Sequence, residues 1–154
     1  MKKHIVFLAF IAFCTTLSAQ RAMTIAEAES NGLAMSHLDS LYASALQSDS
    51  TKAVFGTRQT EFQDAYIQLL NDLCSFLNKN KFKWEKPIKC FNRIYFSPEG
   101  RIDYFLFKFR QGDLTAEKEK TFSDLLTLFI KDYQFSIQAE RRFAQCSPVK
   151  YLDK

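Results

Sequence analysis

Residues Ile102 to Phe109 (IDYFLFKF) carry large apolar side chains at nearly every position. In an extended chain, successive side chains alternate between two faces. Phe105, Phe107 and Phe109 therefore share one face, and Ile102, Tyr104 and Leu106 share the other. A strand that is apolar on both faces must be covered on both sides, or on one side plus a partner. Upstream, Cys90 to Phe96 (CFNRIYF) reads as the first strand, with Ser97-Pro98-Glu99-Gly100 as the turn leading to Ile102–Phe109 as the second. Pro pre-sets one turn dihedral and Gly accepts positive φ. Together these segments predict a β-hairpin.

Helical spacing flanks the hairpin. Phe62, Ala65, Tyr66, Leu69, Leu70, Leu73, Phe76 and Leu77 form one stripe, predicting a helix over about 58–79 with Thr57 or Thr60 at its cap. Cys74 lies beside that stripe and reads as a small buried thiol. Phe122, Leu125, Leu126, Phe129, Ile130 and Tyr133 predict a second helix over about 116–132. Thr115 suits its N-cap, and Glu117 and Glu119 suit the positive end of its dipole. Nearer the start, Leu38, Leu41, Tyr42, Ala45 and Leu46 predict a helix over about 34–47, capped with help from Ser36 and Asp39. Phe135 to Ala144 (FSIQAERRFA) reads as a third strand, and Ser147-Pro148 as the start of a tail.

The expected class is α+β: two N-terminal helices within 20–80, then a ββαβ unit over 88–152, forming a small antiparallel sheet packed by helices. The third strand should run antiparallel beside the first, with the second on the first strand's other side.

The first 19 residues read differently. Lys2 and Lys3 precede a nine-residue apolar run, Ile5 to Phe13, and small and polar residues lead to Ala19-Gln20. This is the pattern of a secretory signal peptide cut after Ala19. A nine-residue helix spans only about 14 Å, too short for a bilayer core of about 30 Å. Cys14 follows Phe13, which is too bulky for lipoprotein processing, so lipidation there is not expected. The chain is thus read as exported to the periplasm or the medium, with no membrane span after cleavage. A single domain, residues 20–154, remains. Loss of Lys2 and Lys3 lowers the net charge from +4 to +2, with 19 basic residues against 17 acidic. That balance gives no reason to propose a nucleic-acid partner. Thirteen of the 16 Phe stay, which argues for a packed interior.

The segment from Ile88 to Leu152 resembles the C-terminal domain of TonB-like periplasmic proteins. The resemblance rests on the strand FNRIYF, the turn SPEG, the helix ending KDYQF and the strand AERRF. It implies the fold of that domain. The family's Tyr-Pro before the first strand and Ser-Ser-Gly after the second are missing, so no functional residue carries over. Antiparallel pairing of the first and third strands would bring Cys90 near Cys146, predicting a disulfide in an oxidising compartment. Cys74 would then be the odd thiol.

No catalytic constellation emerges. Beyond His4 the chain has only His37, too little for a Ser-His-acid triad or an ordinary zinc site. The four glycines, at 32, 56, 100 and 112, form no phosphate loop. Glu99 and Asp103 flank the turn beside Arg101 and read as solvated. No catalytic residue, cofactor or metal ligand is therefore assigned. Two surface candidates stand out. Five lysines between 79 and 89 interleave with Phe82 and Trp84. These aromatics would form a stacking platform, or would turn inward by alternation and leave Lys81 and Lys83 in water. Arg141 and Arg142 could hold an anion, though adjacent strand residues face opposite sides. The expected function is that of a non-enzymatic envelope protein binding another protein or peptide. The alternative is a small-ligand binder or enzyme with a pocket between the N-terminal helices and the sheet.

Overall fold

The doubly apolar strand forms as expected and sits inside a sheet. The computed structural model describes residues 20–153, so the expected signal segment with Cys14 lies outside the described residues. The elements are β1 (Arg21–Thr24), α1 (Ile25–Ser30), α2 (Met35–Leu41), β2 (Ala43–Ser44), α3 (Gln59–Lys79), β3 (Ile88–Phe96), β4 (Ile102–Phe109), α4 (Ala116–Asp132) and β5 (Phe143–Tyr151). The class is α+β, and the described strands form one five-stranded sheet in the order β1-β4-β3-β5-β2. β3 pairs antiparallel with both β4 and β5, matching the expected order of second, first and third strands.

Several expectations need correction. The sheet is mixed, because β1 pairs parallel with β4 and β2 pairs parallel with β5. Among the described residues, three helices precede the hairpin rather than two. The helix expected over 34–47 stops at Leu41, where Tyr42 turns extended (φ −121°, ψ 117°) and leads into β2. No side chain caps α2, and neither Thr57 nor Thr60 caps α3, whose N-cap is Arg58. There the Arg58 guanidinium instead grips Glu61 through two bonds of 2.7 and 2.6 Å. Thr115 does cap α4, accepting from the Lys118 amide.

The last strand is displaced. Phe135 and Ile137 are buried, but their segment is irregular rather than a strand and packs over the hairpin turn. The Phe135 amide donates to Gly100 O and the Ala139 amide to Pro98 O. The strand itself, β5, runs through Ser147-Pro148. Pro lacks an N–H and is tolerated in a strand only where no neighbour needs one. β2 reaches only Phe143 and Ala144, so the far side of β5 is unpaired at Pro148.

The shift also undoes the expected disulfide. Cys90 lies opposite Val149, and Cys146 lies opposite Arg93. Three registers separate the two thiols, about 10 Å along the strands, and they point to opposite faces. A disulfide needs Cα atoms within about 7 Å, and neither cysteine is bridged.

The sheet's two faces are covered unequally. The front face packs Phe105, Phe107 and Phe109 with Ile94, Phe96 and Phe143 against α3 and α4. Trp84 closes the lower end of this core, stacked on Tyr151 with ring centres 4.9 Å apart and planes at 9°. Each such ring buried contributes roughly 1.5–3 kcal/mol. On the back face, α1 and α2 bring Ala28, Leu38 and Tyr42 onto Tyr95, Leu106 and Ala144. A register shift beside Tyr95/Phe96 departs from strict alternation along β4. Ile102 therefore joins the front core, although it was expected on the Tyr104 face.

The turn supporting the displaced segment gives a test. Gly100 has φ +88°, and a Cβ there would lie 2.9 Å from Phe135 O. Gly112 has φ +83° with nothing within 4 Å. Gly112→Ala should cost about 1 kcal/mol of unfolding free energy, and Gly100→Ala about 2–3 kcal/mol. Urea denaturation of both variants checks this, and equal losses would contradict the packing of 135–139 on the turn.

Candidate functional site

Three places bring polar groups together: one half-buried, one internal and one open. The first lies under α2. Tyr42 donates to Asp103 Oδ2 at 2.9 Å, made possible by the register shift that turns Asp103 toward the back face. Asp39 accepts from Tyr95 at 2.9 Å and pairs with Arg93. The Arg142 guanidinium stands 5.6 Å over the Tyr42 ring. Burial raises the Asp103 carboxyl above its ordinary value, opposed by the Tyr42 bond and by Arg142 and Arg101. Burial likewise pushes Tyr95 up to about 12. These groups are committed to one another, and together they seat α2 on the sheet. Glu99, across the turn, is exposed, and the Ser97 hydroxyl holds it below the usual carboxylate range.

The second is a thread through the front core. Cys90 Sγ donates to Asn92 Oδ1 at 3.3 Å, and Asn92 Nδ2 donates to the Tyr151 hydroxyl at 2.8 Å. Desolvation pushes the Cys90 thiol up to about 12, so it stays protonated and poorly nucleophilic. The thread satisfies buried polar atoms inside an aromatic core.

The third is open. α1 and α2 cover only the upper part of the back face. At the lower end, alternate residues of three strands lie bare: Lys89 and Phe91 on β3, Lys108 on β4, Pro148 and Lys150 on β5. The register sets Phe91 between Lys108 and Pro148, and Lys89 directly beside Lys150. Phe91 is 38% exposed. Among the described residues, no carboxylate lies within ion-pair distance of Lys89, Lys108 or Lys150. A cleft of about 620 Å³ adjoins this patch, between the start of α1 (Thr24, Ile25, Ala26) and Phe91, with Lys108, Glu29 and Glu119 as its charged groups. A shallower hollow of about 380 Å³ continues past Phe91 and Lys108 to Lys89 and Pro148.

The residues singled out from the sequence fall elsewhere. Phe82 and Trp84 are buried in the front core at 6% and 3% exposure, so they offer no partner surface. Lys81 and Lys83 beside them are exposed, as alternation implied, but the segment is a turn, with Lys81 at φ 60°. Arg141 and Arg142 are exposed just before β5, while Trp84 meets its last residue. Roughly 27 Å of strand separates the two pairs, so they form no single site. The groove was legible in one detail. In IKCFNRIYF, Phe91 falls on the wet alternation with Lys89 and Arg93, an aromatic among cations.

No protein-family model, curated protein or solved structure matches this chain.

Asp103 supplies a test of the first cluster. Its folded-state pKa is raised, so folding favours its protonated form. Its contribution is most favourable below the ordinary Asp value of about 3.9 and is lost as pH rises through the raised value. Asp103→Asn removes that dependence and keeps a side-chain oxygen for Tyr42. The variant should gain stability relative to wild type between about pH 3.5 and pH 7.5. Denaturant midpoints at both pH values check the sign, and a relative loss at the higher pH would contradict it.

Proposed function

We propose that this chain is an exported, non-enzymatic envelope protein that binds another polypeptide, and that the groove beside Phe91 is its contact surface. One observation carries the reading: the sheet half left bare by α1 and α2 holds Phe91 and Pro148 inside a ring of lysines. An exposed apolar centre with a charged rim is the anatomy of a docking surface. Catalysis finds less support, because Asp103, Cys90 and Tyr151 are each tied to a buried partner.

Face binding is favoured over strand addition at the edge. The Ala43 and Ala45 amides bond Arg142 O and Ala144 O, so even-numbered residues of β5 turn their backbone groups outward. Pro148 belongs to that set and has no N–H to offer an incoming strand.

Export is supported by the position of the fold. β1 begins at Arg21, so a cut after Ala19 leaves every described strand intact. Gln20 would become the first residue, and its amide donates to Ile102 O and Ile130 O at 2.9 and 2.7 Å. The strand order around β3 and the crossing α4 support the TonB-like reading of residues 88–152 as a fold relationship. The cleft of about 620 Å³ favours a second reading, a small-ligand binder or enzyme using Glu29, Lys108 and Glu119 as polar groups.

Two measurements test the proposal. Expressed in an exporting host, the protein should be recovered outside the cytoplasm with a mass starting at Gln20; retention of residues 1–19 would remove the export reading. In a pull-down from envelope extract, wild type should retain a polypeptide that added salt releases. Lys89→Glu/Lys108→Glu/Lys150→Glu, unchanged in circular dichroism, should retain at least about tenfold less, the loss expected when several surface charges reverse. Equal retention would exclude the groove. A bound metabolite by native mass spectrometry, with no polypeptide retained, would favour the second reading.

A further inference from the structure

The groove has two chemically different ends, and they constrain what can lie in it. At the α1 end the walls are Ile25, Ala26, Met35 and Phe91, with Glu29 and Glu119 beside them. An apolar side chain fits there, and the two carboxylates against the one cation of Lys108 disfavour an acidic one. At the β5 end the cations are Lys89 and its neighbour Lys150, Lys108 on β4 stands between the two ends, and Arg110 is close by but paired to Asp113 at 2.9 Å. Lys89 and Lys150 are direct cross-strand partners. Directly opposed like charges destabilise a sheet, and a carboxylate set between them would relieve that repulsion. The register therefore points to an anion independently of the groove's shape.

The direction of the groove follows from the strand order. Thr24 ends β1, Lys108 lies near the end of β4, Phe91 near the start of β3, and Pro148 late in β5. All four sit at one end of the sheet, so the groove crosses the strands. Three strand spacings of about 4.8 Å make roughly 14 Å, the reach of about four extended residues.

Resting on the reading of the groove as a polypeptide-binding surface, we infer that it recognises a short extended segment with an apolar residue at one end and carboxylates two to three positions away. The segment lies across the strands, its apolar side chain in the cleft under α1 and its carboxylates on Lys89, Lys108 and Lys150. A bilayer surface fits less well, since the cleft is recessed and Glu29 and Glu119 would face anionic headgroups.

The test uses the processed full-length protein and a displayed library of random seven-residue peptides. Enriched peptides should pair one aromatic or aliphatic residue with two carboxylates within the next three positions. A synthetic version of the leading peptide should bind at least about tenfold more weakly to Phe91→Ala and to Lys89→Glu/Lys150→Glu. Binding to Lys52→Glu, remote from the groove, should be unchanged. If enriched peptides are neutral or basic yet still lose binding to Phe91→Ala, the carboxylate inference fails and the groove reading stands. If no peptide is enriched, or enrichment ignores both groove variants, both fail. Binding to phosphatidylglycerol vesicles that needs the same lysines, without peptide enrichment, would overturn the inference in favour of a membrane surface.

Discussion

β4 is buried on both of its faces, and the rest of the fold is arranged to satisfy that requirement. Phe105, Phe107 and Phe109 on the front need a thick apolar layer, supplied by α3, α4 and the Trp84 loop. Leu106 on the back, with Tyr104 beside it, needs a second layer, supplied by α1 and α2. A bare strand of this composition would aggregate along its edge. β1 and β3 flank it instead, so both of its hydrogen-bonding sides are occupied.

Coverage is complete on the front and partial on the back, and that inequality produces the candidate site. α1 and α2 are six and seven residues long, about 9 and 10 Å at 1.5 Å per residue. Strands of eight or nine residues reach about 27 Å. Two short helices cannot cover that length. The Tyr42–Asp103 and Arg93–Asp39 contacts hold α2 at one end and leave Phe91 and its lysines in water at the other.

Where periodicity was strong, local sequence was enough. α3, α4 and the hairpin fall within a residue or two of their predicted limits, because each buries a long stripe or a doubly apolar face whatever its neighbours do. β1, β2 and β5 were hidden for a different reason. Arg21–Thr24 and Ala43–Ser44 are too short to carry a pattern, and they exist because β4 and β5 offer them backbone partners. Pro148 argued against a strand, and only the short reach of β2 makes it acceptable. Phe135 and Ile137 met the apolar requirement of a strand while supporting a turn, since burial alone does not distinguish the two.

What the sequence determined by itself is the class, the two long helices, the hairpin and the need for cover on both faces of Ile102 to Phe109. These follow from side-chain spacing, a property of the chain alone. The tertiary structure decided which residues meet. It moved the last strand by eight residues, turned Cys90 and Cys146 to opposite faces, and buried Phe82 and Trp84. It also set Phe91 among Lys89, Lys108, Pro148 and Lys150. Those outcomes depend on cross-strand register and on how far two short helices extend, which no local pattern encodes.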